Sequence, residues 1–136
     1  MIQRVSHASV FVLDQDSAKT FYTEKLGFEL RADVTMGSFR WLTVAPKGQP
    51  DFELILMPVK PTPMMDEATS DTIRWLVQKG VFGAGVLATA DCRKTYEELR
   101  ARAVEFLQPP TERPYGIEAL IKDDSGNWFS MTQRTS

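Results

Sequence analysis

The chain has 136 residues, of which 43% are apolar and 25% charged, and carries a net charge of −2 at pH 7. That profile fits one globular domain or two small modules sharing a core, and its unclustered Lys and Arg exclude the basic footprint of a nucleic-acid binder. No stretch is long and apolar enough to span a membrane, the N-terminal residues lack the apolar region of a signal peptide, and the single cysteine, Cys92, excludes an intrachain disulfide or Cys-rich zinc centre. A cytoplasmic location is the expectation.

Residues Gln3–Leu13 alternate apolar and polar positions and are rich in β-branched residues, which predicts a first strand. Asp14 or Asp16 then caps a helix whose stripe is Ala18, Phe21, Tyr22 and Leu26, and Gly27 ends it. Strands are predicted at Phe28–Met36, Phe39–Ala45 and Asp51–Pro58, the last two joined by the turn at Pro46–Pro50. Pro58, Pro61 and Pro63 open an extended connector. Ile73, Leu76 and Val77 mark a short helix within it, and Trp75 on that helix reads as an interface or lid residue. The β-α-β-β-β order then returns: a strand over Gly83–Ala90, a helix capped by Asp91, and strands over Val104–Gln108, Ile117–Lys122 and Trp128–Gln133. The predicted division is therefore a first module over residues 1–58, a connector over 59–82 and a second module over 83–136.

An offset of 77 residues carries Asp14 to Asp91, His7 to Ala84, Trp41 to Glu118 and Glu53 to Ser130. Such an internal repeat predicts an α+β fold of two βαβββ modules, each a half-barrel sheet with a helix on one face and a cleft on the other. Strand parity sorts the side chains. His7, Phe39, Trp41, Thr43, Glu53 and Met57 fall on the cleft face of the first module, with Glu118, Trp128 and Ser130 on that of the second. Arg40 points away from the cleft.

His7 is the only histidine, and it and Glu53 each sit mid-strand among apolar residues. Such a pair serves a divalent metal, proton transfer, or a hydrogen-bonded couple that satisfies buried polarity or orients a ligand. Glu118 is the candidate third group for the first two roles. Phe39, Trp41, Met57, Tyr115 and Trp128 are the candidates for contact with a small molecule. Arg113, beside Pro114 and Tyr115, suits a solvated charge or an anion contact.

Three segments carry a resemblance: Asp16–Phe28 with its Phe21-Tyr22 and Leu26-Gly27-Phe28, Ala103-Val104-Glu105-Phe106, and Asp123-Asp124-Ser125-Gly126-Asn127. They resemble the vicinal oxygen chelate superfamily, which includes glyoxalase I, extradiol dioxygenases and bleomycin-resistance proteins. Ala103 stands where the family motif has glycine, and Asp124 where it has proline. The resemblance implies a homodimer holding a small organic molecule in its cleft. In metal-dependent members the ligands come from the first and last strand of each module. Those slots here are His7, Glu53, Ala84 and Ser130, of which the first two match. Two readings stand side by side: a binding protein of the bleomycin-resistance type, and a metal-dependent lyase, isomerase or dioxygenase using His7, Glu53 and Glu118 with a divalent ion.

Overall fold

A computed structural model describes residues 1–135. Strand β1 (His7–Val12) leads into helix α1 (Gln15–Thr20), which continues as a π-helical turn over Phe21–Lys25. Strands β2 (Glu29–Met36), β3 (Phe39–Ala45) and β4 (Glu53–Pro58) follow, then helix α2 (Glu67–Lys79). The order repeats as β5 (Gly83–Ala88), α3 (Cys92–Ala101), β6 (Glu105–Arg113), β7 (Gly116–Lys122) and β8 (Trp128–Arg134). The strands form two four-stranded sheets, ordered β1-β4-β3-β2 and β5-β8-β7-β6. In both, the first and last strands pair in parallel and the rest antiparallel. The α+β fold expected from the repeat is the observed one.

Each helix begins where a short acidic side chain satisfies a free backbone N–H. Asp14 accepts from Ser17 N at 2.9 Å, Asp66 from Thr69 N at 2.8 Å and Asp91 from Lys94 N at 3.0 Å. The π-helical turn brings two consecutive aromatics into the core: Phe21 and Tyr22 are both buried. Gly27, at φ 75°, supplies the left-handed residue that ends this helix. At the equivalent end of α3 the left-handed residue is Ala103, at φ 63°. A Cβ is strained in that conformation. Ala103→Gly is therefore expected to stabilise the fold by about 1 kcal/mol, read as a higher urea midpoint at unchanged slope.

Most strand ends fall within two residues of expectation, β5 for instance ending at Ala88 rather than Ala90, and three differences have a clear cause. β1 begins at His7 rather than Gln3, because β4 offers a partner only from Glu53 onward; the last contact before it is Glu53 N donating to Ser6 O at 2.9 Å. β4 accordingly starts two residues after Asp51. β6 runs on to Arg113, through Pro109 and Pro110. It is an edge strand, where prolines need not donate to a neighbour.

The helix-bearing faces of both sheets build one core. Val10, Val12, Leu42, Val44, Leu54 and Leu56 from the first sheet cluster with Ala119, Ile121, Phe129 and Met131 from the second, and with Tyr22, Cys92 and Leu99 from the helices. The loop between β7 and β8 fastens the two halves. Asp123 accepts from Ser125 N, Gly126 N and Asn127 N at 2.9 Å each, from Asn127 Nδ2 at 3.0 Å, and from the Tyr22 hydroxyl at 2.7 Å. Asn127 Nδ2 also donates to Phe11 O at 2.7 Å, and Leu13 N donates to Ser125 Oγ at 2.9 Å. Burial and the neighbouring Asp123 carboxylate push the Tyr22 hydroxyl pKa well above its ordinary value, so it remains a donor.

Candidate functional site

The faces turned away from this core carry the site residues. Parallel pairing sets His7 beside Glu53, Ser9 beside Ile55 and Phe11 beside Met57. Antiparallel pairing adds Thr43 beside Ile55, Trp41 beside Val34 and Phe39 beside Met36. The result is an apolar and aromatic surface around one polar pair. Val34 is 51% and Met36 58% exposed, while Phe39, Trp41 and Met57 are half-buried.

His7 Nε2 lies 3.7 Å from Glu53 Oε1, outside hydrogen-bond reach, and His7 Nδ1 is 2.9 Å from Ser6 Oγ. The imidazole leans toward Trp41, with ring centroids 5.7 Å apart, and Phe39 follows at 6.5 Å from Trp41. The fully buried Thr43 hydroxyl donates to Glu53 Oε1 at 2.6 Å and so holds the carboxylate in place. Lys60 sits at the rim, its ammonium 6.0 Å from the Phe39 ring centre and 2.5 Å from Ser38 O.

The second sheet carries a counterpart with the roles exchanged. Glu118 on β7 accepts from the Ser130 hydroxyl on β8 at 2.6 Å and from the Tyr115 hydroxyl at 2.8 Å, with Arg113 Nε 3.6 Å away. These contacts, the Ser130 hydrogen bond foremost, hold the Glu118 pKa below its ordinary value, and Glu118 raises that of Tyr115. In the first sheet the carboxylate stands on the last strand and the hydroxyl on the third; here the order is reversed. Arg113 also donates to Gln108 Oε1 at 3.0 Å, so it is held in this group rather than free in a loop. Parity identified the face of Thr43 and Ser130, but not their part in orienting the carboxylates.

Trp128 lies on the cleft-side face at the start of β8 and packs across Gly83, where an added Cβ would lie 2.6 Å from its ring. Trp75 stays 56% exposed on α2, with the Lys79 ammonium 4.7 Å from its ring centre.

One register assignment changes. The pairing of β5 with β8 shifts between Gly83 and Gly85, and the residue beside Ser130 is Val86, not Ala84. The extra residue in β5 bulges and accounts for one of these two positions; the other is a one-residue difference in the repeat offset. Valine ligates no better than alanine. Among the described residues no three His, Cys, Asp or Glu side chains form a group that could hold a metal ion, and no hydrogen bond or ion pair joins the His7–Glu53 pair to the Glu118 group. Catalytic zinc and non-haem iron centres use three protein ligands. One chain supplies two on the first face, so its residues alone do not fit such a centre.

A cavity of about 680 Å³ lies elsewhere, lined by Leu26, Phe28, Val86, Leu87, Leu99 and Met131 among others. It touches none of His7, Trp41, Glu53 or Glu118. The faces with polar chemistry are open sheet, each a single wall.

Residues 4–131 match the family model described as Glyoxalase/Bleomycin resistance protein/Dioxygenase superfamily. The Bacillus subtilis (strain 168) protein YurT is 40% identical, over 93% of this chain and 95% of its own length. Among solved structures, UcmS2 is 55% identical with a TM-score of 0.93, covering 98% of this chain and 99% of that one. TnmS3, described as an antibiotic binding protein from Streptomyces sp. CB03234, is 34% identical with a TM-score of 0.76, covering 98% of both chains. With its two repeated sheets and its match to the family model over nearly its whole length, the chain belongs to the glyoxalase/bleomycin resistance protein/dioxygenase superfamily.

Proposed function

We propose that this protein binds and sequesters a small organic molecule of antibiotic type, held against the open face of the first sheet. The observation that carries this reading is the apolar surface of Val34, Met36, Phe39, Trp41 and Met57, outside the core and ending at a single oriented carboxylate. A surface of that kind is costly to leave in water and suits an apolar ligand with a few polar groups. The likeness to TnmS3, an antibiotic binding protein, supports the same class of ligand.

The protein acts as a homodimer in this reading. An open sheet is one wall of a pocket, and the outer edges of β1 and β5 have no strand partner among the described residues. A second copy would supply the facing wall, with Tyr115, Glu118 and Trp128 as its contribution. Its one cysteine, buried and free, suits the reducing cytoplasm.

The test is a thermal-shift screen of aromatic antibiotics, followed by calorimetric titration of each compound that raises Tm. Trp41→Ala is expected to weaken such binding about thirtyfold while leaving the ligand-free Tm nearly unchanged, because the indole is half-exposed. Ligands bound equally well by Trp41→Ala would place binding elsewhere and overturn the reading.

The juxtaposition of His7 and Glu53 on neighbouring parallel strands favours a second reading, a metal-dependent lyase, isomerase or dioxygenase. It requires a third ligand, Glu118, from another copy. Stoichiometric divalent metal in gently purified protein, lost in His7→Ala, would establish this reading over the first.

A further inference from the structure

The two carboxylates on the cleft-side faces are in different states. Glu118 has both oxygens engaged: Oε1 accepts from Tyr115, Oε2 accepts from Ser130, and Arg113 lies near. Glu53 has one oxygen engaged. Its Oε1 accepts from Thr43, whereas its Oε2 has no hydrogen-bond partner among the described residues. The side chain is 29% exposed, and no Lys or Arg among the described residues lies within ion-pair distance of it. The one basic group near it is His7, at 3.7 Å. The carboxylate stands at one end of the aromatic and apolar face, beside His7 and Thr43, with the Trp41 ring reaching toward His7.

An apolar molecule laid over that face strips water from Glu53 Oε2. A carboxylate covered in this way and left unpaired is strongly unfavourable. The cost disappears only when the ligand brings a hydrogen-bond donor to that oxygen, and it falls most when the donor carries positive charge. The Trp41 ring, 5.7 Å from that of His7, adds attraction for a cation on this side of the face. An acidic ligand meets repulsion from the same group.

Building on the small-molecule reading above, we propose that Glu53 is the specificity-determining residue of this face, selecting aromatic ligands that bear a protonated amine or, less strongly, a hydroxyl, and rejecting acids. Thr43 is the positioning residue that aims it.

Three probes with a three-ring aromatic body test this: 9-aminoacridine as the cation, 9-anthracenemethanol as the neutral hydroxyl, and anthracene-9-carboxylate as the anion. Each is titrated by fluorescence into the wild-type protein, Glu53→Gln and the surface control Glu97→Gln, with EDTA present so that no metal bridges ligand and protein. Wild-type protein and Glu97→Gln should prefer the cation to the anion by at least about tenfold, with the alcohol between them. Glu53→Gln keeps an acceptor oxygen but loses the charge. It should weaken the cation about tenfold, leave the alcohol within about threefold, and strengthen the anion. Equal binding of cation and anion by the wild type would overturn the proposal while leaving the small-molecule reading intact. So would an equal loss of all three probes in Glu53→Gln. If the wild type binds none of the probes, this proposal is overturned, and the small-molecule reading stands or falls on the antibiotic screen above.

Discussion

Asp123→Ala is expected to lower the free energy of unfolding by about 4 kcal/mol, near the top of the range for a single substitution. The carboxylate accepts five hydrogen bonds, and its residue is 5% exposed. Its removal leaves the fully buried Tyr22 hydroxyl without an acceptor and frees three backbone N–H groups in a buried turn. Each unsatisfied donor costs about 1–3 kcal/mol, partly recovered where water enters. Urea titration followed by tryptophan fluorescence measures the loss. Asp123→Asn, which keeps one acceptor oxygen, should lose about half as much, and Tyr22→Phe about 1 kcal/mol. A double-mutant cycle between Asp123 and Tyr22 should return a coupling of about 1 kcal/mol or more. A loss below about 1 kcal/mol for Asp123→Ala would contradict the account of this turn as the fastening between the two sheets.

Gly126→Ala, three residues on, should be about as damaging for a different reason. Gly126 has φ 121°, a conformation open to glycine and strained for any residue with a Cβ. The added methyl would also lie 2.3 Å from the Val77 carbonyl oxygen, which is backbone of helix α2 and cannot rotate aside. Strain and overlap together should cost about 3 kcal/mol or more. Hydrogen exchange should localise the damage: protection is lost first at the C-terminal end of α2, where Gly80 N donates to Val77 O. Stability within about 0.5 kcal/mol of the wild type would show that the turn can move away from the helix, and that the close approach is incidental.

Much of the fold is legible in the sequence because its signals are local. Strand alternation, the Asp caps at positions 14 and 91 and the glycine after Leu26 each act over a few residues, and their recurrence reveals the repeat. Parity placed His7, Trp41 and Glu53 on one face and turned Arg40 away, toward Asp16 and Asp33. What escaped depends on counting backbone units. The bulge near Ala84 is invisible to alternation, since one extra residue leaves the composition of β5 unchanged while reversing the faces beyond it. The exchange of hydroxyl and carboxylate between Thr43–Glu53 and Glu118–Ser130 depends on which strands are neighbours, which periodicity does not encode. Asp123 could be seen as a turn residue, but its bond to Tyr22 joins positions no local window contains together. Whether His7, Glu53 and Glu118 ever act on one ligand depends on how sheet faces meet, and parity is silent on that.

The β7–β8 turn also has a consequence for how the chain reaches its native state. Its bonds to Phe11, Leu13 and Tyr22 close loops spanning 116, 112 and 101 residues. Each spans roughly three quarters of the chain or more, and its entropy must be lost before the bond that closes it forms. The first sheet can assemble from neighbouring segments, yet the groups that hold it against the second appear only at the far end of the chain. Joining the halves is therefore the step expected to be slow and late in folding. Until it happens, the apolar backs of both sheets stay exposed to other molecules. The interval before Asp123 meets Tyr22 is therefore one in which the chain presents more apolar surface than the finished fold does.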